Sequence, residues 1–506
     1  MKYLNPIISG FYPDPSICRV NDDYYLVTSS FEYFPGVPIF HSKDLINWKQ
    51  LGHCLTRKSQ LFLDKAKSSG GIFAPTLRYN NGKFYMITTN VTADKNFYVY
   101  AEKPEGPWSE PVELIGWKGI DPSLFFDEDG KVYLSGNSYK NNGEKLGCYQ
   151  AEIDIETGEL LTERKLIWEG SGGKAPESPH MYKINNMYYL IMAEGGTEYG
   201  HMVTVARSKS PYGPFEGYEK NPILSHRSKK SPIQCTGHLD LIQDHTGNWW
   251  AVFLAARPKG SHSYFHHLGR ETFLAPVTWS KDGWPIIGNN GMVDLEMEAE
   301  TLPIQDKVLW RTIDDFNEEI LDDSWNFIRN PYENSWSLKN RKGYLTLNGS
   351  EISLNDLDSP SFIGRRQQHF ECNISTLLEF SPENNYEEAG LTVIMNNKFH
   401  YEIALTKEEG KNIIIFRRRV DSLIVEKKVE YNYEKVILGI ESDEKTYRFT
   451  YSSLDGKKET IGEGECYLLS TEVSGTFTGV YFGLYATGNG KKSNSPAYFD
   501  YFKYEI

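Results

Sequence analysis

Polar and apolar positions in the first three hundred residues fall into a repeated strand–turn–strand pattern. Aromatic or apolar doublets stand at Tyr24-Tyr25, Phe84-Tyr85, Val132-Tyr133, Tyr188-Tyr189 and Trp249-Trp250. Each follows a tight-turn pair: Asp22-Asp23, Asn81-Gly82, Asp129-Gly130, Asn185-Asn186 and Thr246-Gly247. Turn pairs flanked by alternating apolar residues predict β-hairpins. The doublets recur at steps of 60, 48, 56 and 61 residues. A further aromatic follows a loop in each unit, at Trp48, Trp108, Trp168, Phe215 and Trp279. Several short strands per unit at this period read as the blades of a five-bladed β-propeller. Helical periodicity of any length is missing, which removes α/β barrels and helical bundles.

Residues 290–315 read as a connector, with Asn289-Asn290-Gly291, an acidic run from Glu296 to Glu300, and then Pro303. Beyond it lie strand-length runs such as Tyr344-Leu345-Thr346-Leu347, Ile413-Ile414-Ile415-Phe416 and the alternating Tyr447-Arg448-Phe449-Thr450-Tyr451. These predict a two-sheet β-sandwich of the concanavalin A-like or jelly-roll kind. The expected architecture is all-β, with a propeller over residues 1–300 and a sandwich over 301–506. A length of 506 residues agrees, being well beyond what one hydrophobic core supports.

Lys plus Arg number 54 against 68 Asp plus Glu, a net charge of −14, so no counterion-releasing basic face is expected and neither nucleic acid nor an anionic membrane is the expected partner. Residues 1–20 lack a basic, apolar signal segment, and no apolar run is long enough to span a membrane. The six cysteines are scattered without a CxxC pair or zinc spacing, which predicts a reduced, cytoplasmic protein. Aromatics make up 14% of the chain; flat rings suit both strands and the faces of sugars.

Candidate chemistry comes from aligning the five units on their doublets. Eleven or twelve residues before each doublet's second member stand Asp14, Ala74, Asp121, Glu177 and His238. The inner strands of propeller blades start at one pole of the central channel, so these side chains are expected to converge there. Asp14-Pro15-Ser16 and Asp121-Pro122-Ser123 share a tripeptide, and Glu177 lies in Ala-Pro-Glu-Ser-Pro-His. Proline fixes φ and removes an amide donor at the strand start, which helps set the carboxylate's direction. Clustered carboxylates cannot all ionise at ordinary cost, which gives one proton acceptor and one proton donor, as glycosidic cleavage requires. A divalent-cation site and simple amide-capping residues are the alternatives. No phosphate-binding or dinucleotide-binding glycine motif, HExxH or nucleophile elbow occurs. His266 and His267 are adjacent, and on a strand they would face opposite sides.

These segments resemble glycoside hydrolase family 43, in its two-domain β-xylosidase and α-L-arabinofuranosidase branch. The carriers are Gly10–Ser16, Gly119–Ser123, Ala175–His180, Gly237–Asp240, Leu268–Thr272 and the ending Phe499–Phe502. The resemblance implies an inverting, exo-acting hydrolase that takes a small oligosaccharide, releasing xylose from the non-reducing end of β-1,4-xylooligosaccharides with α-L-arabinofuranosidase side activity. A primary α-L-arabinofuranosidase and a non-catalytic sugar-binding propeller are the alternatives. Carried over, Asp14 is the general base, Glu177 the general acid, and Asp121 the residue that orients Glu177 and modulates its proton. Arg270 forks onto sugar hydroxyls and Phe31 walls the sugar. Phe73 stands where relatives often carry Trp, and Phe477 is the aromatic expected to close the pocket from the second domain. His238 sits beneath the sugar or ligates a structural calcium ion in the channel, with a neutral structural histidine as the alternative. No cofactor is expected to be required, and a homo-oligomer is compatible with all of this.

Overall fold

The computed structural model describes residues 2–138, 143–261, 264–303, 305, 308 and 311–506; five positions of the connector expected at 290–315 lie outside them. Five four-stranded antiparallel sheets follow one another in sequence. Blade 1 comprises Ser16–Val20, Asp23–Val27, Gly36–Ser42 and Lys49–Leu55. Blade 2 comprises Thr76–Asn80, Lys83–Asn90, Lys95–Ala101 and Val112–Glu113. Blade 3 comprises Ile120–Phe126, Val132–Asn137, Cys148–Glu152 and Lys165–Trp168. Blade 4 comprises Glu177–Ile184, Met187–Glu194, Met202–Ser208 and Glu216–Gly217. Blade 5 comprises Gln234–Gln243, Trp249–Ala256, Glu271–Trp279 and Pro285–Ile287. First strands of neighbouring blades contact each other around a closed ring, from blade 1 to blade 5 and back to blade 1.

All five doublets lie on second strands. Apart from its first residue, each of Lys83–Asn90, Met187–Glu194 and Trp249–Ala256 is buried along its whole length, because neighbouring blades cover both faces. That is why these segments read as apolar runs rather than clean alternation. Two details differ from the pattern. The first hairpin turns at Asn21-Asp22, with Asp23 already in the strand. The later aromatics are not equivalent either: Trp48 and Phe215 immediately precede fourth strands, whereas Trp168 ends a fourth strand and Trp279 a third. The ring is closed by its ends, with Lys2–Leu4 pairing antiparallel to Glu296–Glu298.

The second unit is a sandwich of an eight-stranded and a six-stranded sheet. Ile374, Leu378, Leu391, Ile403, Phe449 and Phe499 are among the side chains that fill its core. The two units are knitted together. Phe327–Ile328 pairs with Tyr33–Phe34 of the propeller, and Tyr33 stacks on Tyr481 with centroids 4.1 Å apart. Arg329 donates to the Ala66 carbonyl at 2.8 and 2.6 Å, and Val480 N–H donates to the His267 carbonyl at 2.9 Å. A Cβ on Gly479 would lie 2.3 Å from the Leu268 carbonyl oxygen, so only glycine lets the 475–480 segment lie this close to the propeller.

The channel axis is filled by a polar hub to which every blade contributes. Arg78 of blade 2 forks onto Asp240 of blade 5 at 2.8 and 3.3 Å. Ser16 of blade 1 and Tyr182 of blade 4 donate to the same carboxylate at 2.6 and 2.5 Å. His180 Nδ1 accepts from Arg78 at 3.0 Å and lies 3.1 Å from the Ser123 hydroxyl of blade 3. Burial opposes ionisation of Asp240, but Arg78 and the surrounding donors override it and hold this carboxyl well below the usual range. Burial pushes His180 down to about 3, so its ring is neutral and can accept. Replacing Asp240 by Ala strands the buried guanidinium. The expected outcome in denaturant unfolding is a loss of about 3–5 kcal/mol; an unchanged midpoint would remove the hub as a stabilising element.

Candidate active site

Above the hub, the first strands of blades 3, 4 and 5 begin with a kink at the channel mouth. Strand register breaks between Ile120 and Ser123, between Glu177 and His180, and between Gly237 and Asp240. The skipped positions include Asp121 (φ 52°), Ser178 (φ 57°) and His238 (φ 50°), all in left-handed backbone, as is Asp14 (φ 55°) just ahead of blade 1. In the first three blades bearing acids, a proline follows at Pro15, Pro122 and Pro179. A residue without an amide donor cannot continue the ladder, and in blades 3 and 4 the proline lies within the bulge.

The result is one cavity of about 440 Å³. The site residues expected from sequence, Asp14, Asp121, Glu177, His238, Arg270, Phe31, Phe73 and Phe477, all line it. Ala74 lines it too, as the one strand start without a polar group. Phe31 packs between Phe73 and Phe477, at 5.3 and 6.4 Å between centroids. Phe477 comes from the sandwich; its amide donates to Ser69 Oγ at 2.8 Å, and its carbonyl accepts from Arg270 at 3.3 Å. His266 and His267 lie in a loop rather than a strand, and His266 meets Glu472 beside this closing segment at 2.7 Å.

The carboxyls face different surroundings. Burial works against the Asp14 anion, yet Arg270 at 3.0 Å, His238 at 3.8 Å and the Ser29 hydroxyl outweigh it. Asp14 is therefore held below the usual carboxylate range and stays ionised. Asp121 goes the other way: burial, then the charges of Glu177 and Asp14, push it well above that range. It accepts a hydrogen bond from the Ser178 amide at 3.0 Å. Asp121 thus keeps its proton at a pH where free carboxyls have lost theirs. From the resemblance, Asp121 is expected to modulate the proton of Glu177; the carboxyl that like-charge repulsion raises here is Asp121 itself.

Burial lowers His238 despite the neighbouring acids, leaving it neutral. As a calcium centre the channel fits poorly. Among the described residues no three His, Cys, Asp or Glu side chains converge as a metal cage, and the Arg78 guanidinium already stands between His180 and Asp240.

Several lining residues carry no signal in the sequence. Thr197 accepts from Arg270 at 2.7 Å, and Asn137 and Leu146 add to the wall. His201 is 1% exposed with Nε2 3.4 Å from Glu177 Oε1. These positions fall outside the aligned strand starts.

A buried, proton-retaining carboxyl beside a second acid, with an ionised carboxylate on the same aromatic-walled cavity, suits a carbohydrate-cleaving hydrolase. Comparison with known proteins agrees. Residues 3–285 match Glycosyl hydrolases family 43, and residues 313–505 match the Beta xylosidase C-terminal Concanavalin A-like domain. A non-reducing end α-L-arabinofuranosidase of Bacteroides ovatus is 44% identical over 99% of this chain and 94% of its own. A xylosidase/arabinosidase of Butyrivibrio fibrisolvens is 41% identical over 99% of each chain. The solved structure of a xylan β-1,4-xylosidase from Bacillus halodurans is 35% identical, covers 100% of both chains and superposes with a TM-score of 0.95. The chain belongs to glycoside hydrolase family 43, among its xylosidases and arabinosidases.

Arg270 ties Asp14, Thr197 and the Phe477 carbonyl through one planar fork, which an ammonium cannot reproduce. Arg270→Lys is expected to lower kcat/KM by about 100-fold with little change in the unfolding midpoint, measured side by side.

Proposed function

We propose that this enzyme is an inverting exo-glycosidase releasing xylose from the non-reducing end of β-1,4-xylooligosaccharides, with α-L-arabinofuranosidase side activity. The observation that carries the reading is the opposite charge bias of two carboxyl sites on one cavity. Asp14, held ionised, takes a proton from a water whose oxygen attacks the anomeric carbon. The bond from that carbon to the leaving oxygen breaks as Glu177 delivers its proton to that oxygen. Asp121, which keeps its own proton through burial and the neighbouring acids, stands beside Glu177. Arg270 orients the sugar hydroxyls and Phe31 offers a ring face to its C–H groups. The sandwich supports exo action, because Phe477 covers the cavity from the side where a polymer would have to continue. No metal takes part in these steps, and a cytoplasmic setting suits short imported oligomers.

A second reading, a primary α-L-arabinofuranosidase, is favoured by the Bacteroides ovatus relative and by Phe73, whose single ring makes a smaller platform than an indole. Parallel rates on 4-nitrophenyl β-xyloside and α-L-arabinofuranoside decide between the two. A wild type that turned over neither would instead support a binding module. Glu177→Ala is expected to lose xylobiose hydrolysis by about 100-fold or more while keeping much of its rate on the aryl glycoside, whose leaving group needs little protonation. Equal turnover of xylobiose by the variant would remove Glu177 as the acid. Proton NMR of the first-formed sugar should show the inverted anomer. Overnight treatment with a chelator should leave the rate unchanged, whereas a loss restored by calcium would overturn the metal-free reading.

A further inference from the structure

His201 stands on the acid side of the cavity with an unusual division of its two ring nitrogens. Nδ1 lies 3.1 Å from the Cys235 backbone carbonyl, which can only accept, so Nδ1 carries the hydrogen. In the neutral ring Nε2 then holds a lone pair. This atom is buried and has no hydrogen-bond partner among the described residues. Glu177 Oε1 lies 3.4 Å from it. The ring cannot swing aside: a Cβ on Gly237 would sit 2.1–2.4 Å from three of its atoms, so the imidazole lies directly against a glycine backbone. The other charged or titratable groups on this cavity come from blade 1 (Asp14), blade 3 (Asp121) and blade 5 (His238 and Arg270); blade 2 presents only Ala74 at its strand start.

A buried acceptor facing a carboxyl can bond its protonated form and offers nothing to the anion. We infer that His201 is a positioning residue for proton delivery: its Nε2 lone pair holds Glu177 in the protonated, donor-ready form until substrate arrives. The short gap left at 3.4 Å closes when a sugar fills the cavity and orders the couple. The inference rests on Glu177 being the proton donor. It adds that the acid's readiness depends on a tautomer fixed from the backbone of blade 5.

His201→Asn separates the two ring functions. The Asn amide can still donate to the Cys235 carbonyl but has no atom at the Nε2 position. For the pentose that wild type hydrolyses faster, kcat/KM is measured against pH on the disaccharide and on the nitrophenyl glycoside. The expected result is a loss of about tenfold or more on the disaccharide, less than about threefold on the activated substrate, and a basic limb moved to lower pH. Equal losses on both substrates with an unmoved limb would overturn the proposal and leave His201 a packing residue. Glu177→Ala in the same assay keeps the two claims apart: if it shows no dependence on the leaving group, the reading of Glu177 fails first. Should His201→Asn not fold, nitrogen NMR of histidine-labelled wild type reads the tautomer directly. An Nδ1-protonated, Nε2-accepting ring supports the proposal, and the opposite tautomer overturns it.

Discussion

A guanidinium and a carboxylate, Arg78 against Asp240, meet where five strands would otherwise leave a hole. The pair is buried, so each charge needs the other, and the remaining lone pairs are taken by Ser16, Tyr182 and the Ile17 amide. In every blade a hub residue sits two to four positions after a cavity residue: Ser16 after Asp14, Arg78 after Ala74, Ser123 after Asp121, His180 after Glu177, Asp240 after His238. Fixing the hub therefore fixes the axial height of all five strand starts. The convergence of carboxyls above it follows from the ionic contact below.

Once gathered, the carboxyls are told apart by what stands beside each. Asp14 has a guanidinium, a hydroxyl and an imidazole within reach, and these overcome its burial. Asp121 has burial and two acids, which the Ser178 amide and the charge of Arg270 do not offset. One chemical group thus supplies both base and proton reservoir within one cavity. The sandwich completes this division from outside the propeller. Its Phe477 carbonyl takes one arm of Arg270 and its ring covers the aromatic wall, so orientation of the base and closure of the pocket are mechanically linked.

Much of the scaffold was legible because a repeated fold repeats its local rules. Turn pairs and apolar doublets mark hairpins wherever they occur, and an Asp-Pro at a strand start carries its own bulge. The aromatics outside the doublets were less readable, since loop length shifts them between third and fourth strands. Thr197, Asn137 and His201 left almost no trace. Nothing in a Gly-His-Met segment announces that its imidazole will face an acid on a neighbouring strand; that depends on the glycine at 237 leaving room for the ring.

By itself, then, the order of residues determined the five units, the two-domain division and the strand starts where acids gather, because all three rest on short-range geometry. Tertiary structure alone decided which acid stays charged. Asp14 and Arg270 are 256 residues apart in sequence, and their 3.0 Å contact exists only after the ring closes. Electrostatic bias is set by distance and burial, and neither is a property of a sequence position until the chain has folded.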